Sequence, residues 1–196
     1  MLRLLGMFCL ICTCWGQMGK PTVTKSKDGD PLSGTISMGP PDLSDEETQA
    51  NYMPSKLRCD ACAGIAARFA KALQKEIDKT RATRDGQKEL DEGLLIDIFE
   101  QICADREWSN FGLKEVQGVN RISYPGSEIA EVPGIQQGGG IWPRRLSDMC
   151  YGYIEEFEEY GIYKAHANDL KKGLYQLICK KDCRLKDKKK TNKSEL

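Results

Sequence analysis

The chain has 196 residues, with 29 Lys plus Arg balanced by 29 Asp plus Glu, one His and nine Cys. Zero net charge excludes a nucleic-acid binder held by bulk phosphate attraction. A lone His excludes a His-rich metal site, and a charged fraction of 30% against 40% hydrophobic puts part of the chain outside any core.

Residues 1–16 read MLRLLGMFCLICTCWG. Basic Arg3 precedes an apolar run from Leu4 to Trp15, and small Gly16 offers a cleavage point. That pattern predicts a secretory signal peptide, too short for a membrane-spanning helix. Cleavage removes Cys9, Cys12 and Cys14. It leaves Cys59, Cys62, Cys103, Cys150, Cys179 and Cys183, an even set in an oxidising compartment, which predicts a disulfide framework.

Residues 17–55 are rich in Gly, Pro, Ser, Thr and Asp, with acidic Asp42, Asp45, Glu46 and Glu47 and no apolar period. They read as a flexible acidic arm. Periodicity begins near Lys56. Cys62, Ile65, Ala66, Phe69, Leu73 and Ile77 recur at steps of three and four, with Arg68, Lys71, Lys75 and Lys79 opposite, which predicts a first helix. After a turn at Asp85-Gly86, a second helix is predicted from about Lys88 to Cys103, burying Leu90, Leu94, Leu95, Ile98, Phe99 and Ile102.

From Ala104 to Ile141 the period dissolves into a Gly-rich insertion containing Gly138-Gly139-Gly140, Pro125 and Pro133, with a short helical or extended piece expected around Trp108 to Ile122. Such insertions are often binding surfaces. A third helix starts at Pro143, a residue suited to a first helical turn. It presents Leu146, Met149, Cys150, Tyr153, Ile154 and Phe157, and ends among Glu155, Glu156, Glu158 and Glu159, read as a solvated face. A last helix, in one or two pieces, runs from Ile162 to about Cys183, with Leu170, Leu174, Leu177 and Ile178 inward. His166 reads as a surface or half-buried residue, and Trp108 and Trp142, which bracket the insertion, read as core. Residues 184–196 are a basic tail ending Lys193-Ser194-Glu195-Leu196, a KDEL-type retrieval signal with Ser in place of Asp.

Helix geometry narrows the cysteine pairing. Cys59 and Cys62 share one face at the start of the first helix; Cys179 and Cys183 share one face at the end of the last. If these helices are antiparallel neighbours, the outer cysteines meet (Cys59–Cys183) and so do the inner ones (Cys62–Cys179). Cys103 and Cys150 then form the third bridge. The expected fold is all-α, a disulfide-stapled four-helix bundle over residues 56–183 with the long Gly-rich insertion between helices two and three.

This arrangement resembles the saposin-like fold. The segments Met53-Pro54-Ser55-Lys56-Leu57-Arg58-Cys59-Asp60-Ala61-Cys62, Arg106-Glu107-Trp108-Ser109-Asn110-Phe111-Gly112, Trp142-Pro143-Arg144-Arg145-Leu146-Ser147 and Ile162-Tyr163-Lys164-Ala165-His166, together with the retrieval tail, resemble the Canopy group of endoplasmic reticulum proteins. The resemblance implies a non-enzymatic lumenal co-chaperone, partly secreted, that needs no cofactor or metal. Its implied partners are the ER Hsp90 and Hsp70 chaperones and immunoglobulin heavy chains, with effects on calcium stores and integrin function in B cells. Two other readings rest on the residues themselves. One is a thiol oxidoreductase using Cys59-Asp60-Ala61-Cys62, which lacks the usual βαβ context. The other is saposin-type lipid handling.

Overall fold

A computed structural model describes residues 39–83 and 89–183 of the chain. The expected signal peptide (residues 1–16), the expected retrieval residues Lys193, Ser194, Glu195 and Leu196, and the expected turn at Asp85-Gly86 lie outside the described residues. The fold is predominantly helical, saposin-like and stapled by disulfides, with a small added sheet.

The long apolar stripes become the central helices. Helix α2 (Arg58–Thr83) follows a short α1 (Asp45–Gln49). It buries Ala61, Cys62, Ile65, Phe69 and Leu73 on one face, at helical spacing. Helix α3 (Glu92–Cys103) starts where the Asp91 carboxylate caps the Leu94 N–H at 3.0 Å, later than the expected start at Lys88. Its Leu95, Ile98, Phe99 and Ile102 are buried, and Phe69 of α2 meets Phe99 edge-on with centroids 5.0 Å apart. Helix α5 (Trp142–Phe157), after the single turn α4 (Glu128–Glu131), has Pro143 in its first turn and buries Leu146, Met149, Cys150 and Tyr153.

The last expected helix is broken. Helix α6 (Glu159–Asn168) and helix α7 (Gly173–Ile178) are separated at Asp169, and residues 180–183 add a final turn. Leu170 falls in this break and is exposed, not inward. The break lets α7 fold back on α6 so closely that only a glycine fits at Gly173: a Cβ there would collide with the Ala165 carbonyl. Between α5 and α6 the chain turns at Glu158, which holds φ +58° and ψ 151°, a conformation costly for any residue with a Cβ.

The insertion is an ordered platform. A 3-10 turn (Asp105–Trp108) leads to strands β1 (Gly112–Val116) and β2 (Val119–Ser123), paired antiparallel in the register Val116 to Val119 and Gly112 to Ser123. Two residues, Gln117 and Gly118, join them, both at positive φ (53° and 74°), the backbone of a tight hairpin turn. Strand β3 (Gln136–Gly138) pairs antiparallel with β1 on its other side, giving the order β2-β1-β3. Leu113 and Ile122 are fully buried and weld the sheet to the core.

Within the expected arm over residues 17–55, Ser44 and Glu47 form a capping box that starts α1 and Met53 enters the core; just beyond it Leu57 is buried too. Burial of these two side chains, with the polar contacts described below, outweighs the cost of ordering a polar segment.

Candidate functional site

The chemistry of the chain collects where the start of α2 meets the C-terminal turn. Arg58, Cys59, Asp60 and Cys62 come from the first turns of α2, and Cys179, Asp182 and Cys183 from the end of α7 and the turn beyond. Cys59 is bonded to Cys183 with Cα atoms 4.7 Å apart, and Cys62 to Cys179 at 5.5 Å. The third bridge, Cys103–Cys150, lies elsewhere and ties the end of α3 to the middle of α5, again at 5.5 Å. Each cysteine of the Cys-x-x-Cys segment is thus bonded across to the other end of the fold and not to its neighbour.

Ionic side chains surround the double clamp. The Arg58 Nε donates to Asp182 Oδ1 at 2.6 Å, and the Tyr153 hydroxyl donates to Asp182 Oδ2 at 2.5 Å. Burial pushes the Tyr153 phenol well above its ordinary range, and the hydrogen bond and nearby charge of Asp182 push it further. Asp60 is buried between the two bridged cysteines and receives a two-pronged contact from Arg121 of β2, whose NH2 group lies 2.8 Å from Oδ1. That hydrogen bond raises the Arg121 pKa. The clamp and the hairpin are therefore joined by a bidentate ion pair.

A second polar cluster fastens residues 40–55. Arg145 is 1% exposed; its guanidinium donates to the main-chain carbonyls of Glu47 (2.8 Å) and Ala50 (2.9 Å from Nε) and stacks over Trp142 with its centre 4.4 Å from the ring. Burial lowers the Arg145 pKa. The Glu47 carboxylate accepts from the Ser44 N–H and hydroxyl (2.8 Å each) and from Asn120 of β2 (3.1 Å). Burial works to raise its pKa, but these hydrogen bonds and the Lys56 charge outweigh it, and the net shift is downward. An open groove of about 660 Å³ lies between this segment and the hairpin, lined by Leu43, Glu47, Lys56, Glu115, Val119 and Asn120.

The remaining candidates are structural. His166 is 2% exposed, meets Gln74 through Nε2 at 3.2 Å and leaves Nδ1 without a partner, so it is more deeply buried than the sequence suggests. Trp108 and Trp142 are both core residues. Glu155, Glu156 and Glu158 face solvent. Lys114 of β1 is buried and donates to the carbonyls of Ile129 and Ala130, closing the end of α4 onto the sheet. Among the described residues no group of three or more His, Cys, Asp or Glu side chains could hold a metal ion, and no described helix is long and apolar enough to cross a membrane.

Sequence reasoning missed Asp60–Arg121, Asp182, Lys114 and Arg145. The ion pairs join residues far apart in sequence, which leaves no local pattern. Arg145 had a signal: it stands three residues after Trp142, beside Leu146, on the face that α5 buries.

Helices clamped at their ends by two nested bridges, with a third bridge between α3 and α5, define a saposin-like, disulfide-stapled protein carrying a small β-platform. No protein-family profile matches the chain. It is similar to the human marginal zone B- and B1-cell-specific protein, with 37% identity over 155 residues covering 78% of this chain and 79% of the relative. The mouse protein of the same name is 36% identical, covering 77% of this chain and 80% of the relative, and the rat protein is 37% identical over 141 residues. The chain belongs to the family of these proteins, the Canopy group.

Proposed function

We propose that this chain is an ER-lumenal co-chaperone. In this reading it binds the ER Hsp90 and Hsp70 chaperones and immunoglobulin heavy chains, and promotes antibody assembly and secretion in B and plasma cells. Its effects on calcium stores and integrin function follow from that work on secretory clients. The observation that carries the reading is identity of 36–37% over more than three quarters of the chain to proteins named for marginal zone B and B1 cells.

Other features support it. The leading MLRLLGMFCLICTCWG segment suits a signal peptide and the closing Lys193-Ser194-Glu195-Leu196 suits retrieval to the ER lumen. Residues 184–196 serve as the basic tail that carries it. A stapled scaffold with an ordered platform suits a binding protein that works without a reactive centre. Cys59 and Cys62 pair with Cys183 and Cys179, so the Cys-x-x-Cys segment offers no adjacent dithiol for an oxidoreductase cycle.

The test is affinity capture from plasma-cell lysate with the full chain, read by immunoblot for the ER Hsp90 relative and for immunoglobulin heavy chain. Recovery of both supports the reading; recovery of neither overturns it. Deleting Lys193–Leu196 should move the protein into the medium, and unchanged retention would remove the lumenal assignment.

A further inference from the structure

The three bridges are not equally open to thiol chemistry. Cys62, Cys179, Cys103 and Cys150 are fully buried. Cys59 and Cys183 are only half-buried, and the Tyr175 hydroxyl, on an exposed side chain, lies 3.2 Å from Cys183 Sγ. An attacking thiolate must reach a sulfur, so access alone separates this bridge from the other two. Its sulfurs also differ. Cys59 is the second residue of the 26-residue helix α2, where the N-terminal end of the helix dipole favours a thiolate. The neighbouring Arg58 adds positive charge, although Asp182 pairs with it. Exchange is faster when the departing sulfur is a stabilised thiolate.

The fold can also tolerate the loss. The sequence separations spanned by the outer and inner bridges are 124 and 117. With Cys62–Cys179 closed, the outer bond adds only a small ring to a chain already crosslinked over nearly the same length. The Arg58–Asp182 ion pair and the Tyr153–Asp182 hydrogen bond hold the final turn independently.

We propose that Cys59–Cys183 is a thiol–disulfide exchange site for a dithiol, opened while Cys62–Cys179 and Cys103–Cys150 stay closed. One thiolate of the dithiol attacks Cys183 Sγ; the Cys59–Cys183 bond breaks and Cys59 leaves as thiolate. The second thiol of the reagent attacks its own sulfur in the mixed disulfide and releases Cys183. The dithiol is oxidised by two electrons to its disulfide, the protein pair is reduced by two, and the two protons of the reagent end on the released sulfurs. The opened state removes the covalent tie between residues 180–183 and the start of α2 and leaves the Arg58–Asp182 ion pair as the remaining link there. The protein disulfide is here the substrate of the dithiol, and the inference stands independently of the co-chaperone reading.

The experiment equilibrates the full mature chain at pH 7 in graded mixtures of reduced and oxidised dithiothreitol. The samples are quenched with acid, alkylated, and mapped by mass spectrometry. Cys59 and Cys183 should become half-labelled at a reductant ratio at least tenfold lower than the other four cysteines, about 30 mV for a two-electron couple. Opening of all three bridges together, or of Cys62–Cys179 first, overturns the proposal. In the C59S/C183S variant the remaining four cysteines should resist alkylation in native buffer. Their labelling, or failure of that variant to accumulate folded, overturns it equally, because the outer bond would then be required by the fold.

Discussion

A buried guanidinium is tolerable only when its donors are used, and Arg145 uses them on the main-chain carbonyls of Glu47 and Ala50. Arg145→Met keeps an apolar stem but removes the cation over Trp142 and leaves the carbonyls of Glu47 and Ala50 without those donors. The expected loss is about 2 to 4 kcal/mol in urea unfolding, with new proteolytic cleavage within residues 40–55. His166 gives the second residue-scale expectation. Burial lowers its folded pKa, whereas the unfolded side chain titrates at about 6.5. The unfolded state therefore takes up the proton first as pH falls. The stability contributed by neutral His166 is fully present above pH 6.5, shrinks below it, and stops changing once pH passes under the folded pKa. The melting temperature should fall between pH 7 and pH 5, and His166→Gln should flatten that slope. Glu47, whose folded pKa is lowered from an ordinary 4.5, contributes its own acid loss only further down.

At the scale of elements, the packing of α6 against α7 depends on an absent side chain. A methyl at Gly173 would run into the Ala165 carbonyl oxygen and lie 2.8 Å from its carbon, and both are backbone atoms that cannot rotate away. Gly173→Ala should cost about 1 to 3 kcal/mol by overpacking, measured by chemical denaturation, and loosen the turn that carries Cys179. The sequence makes no such demand visible, since Lys172-Gly173-Leu174 reads as a glycine inside a helix. The legible elements are those with a long period: α2, α3 and α5 each repeat their apolar residues over several turns, and burial follows the stripe. The β-platform is legible only as a short helical or extended piece around Trp108 to Ile122; its pairing is not, because the strands are five residues or shorter and Gln117-Gly118 is a weak hairpin signal beside Asn-Gly. Residues 40–55 did carry a signal, Ser44-Asp45-Glu46-Glu47, which is a capping-box spacing. It was outweighed by the polar composition around it. Asp60–Arg121 had no local trace, because the two residues meet only after the platform has folded onto α2.

For the molecule as a whole, the two nested bridges share one topological task, and that makes their contributions non-additive. Either bond alone closes a loop of more than a hundred residues, with separations of 124 and 117. In the chain-entropy description a loop of that length stabilises by about 5 kcal/mol, whereas the second bond closes a ring of fewer than ten residues, worth about 2 to 3 kcal/mol. Removing either bridge alone should therefore cost only the small-ring contribution, because its neighbour keeps the long loop closed. Removing both should cost about 7 kcal/mol, more than the sum of the two single losses. Denaturant unfolding of C59A/C183A, C62A/C179A and the fourfold variant measures this directly. Additive losses would mean that the bridges stabilise mainly through local packing, in which case the buried inner pair should dominate. A fourfold loss well above the sum would show that the start of α2 and the turn after α7 are held as one crosslink made twice. That duplication is what leaves the more accessible bond free to open without unfolding the protein.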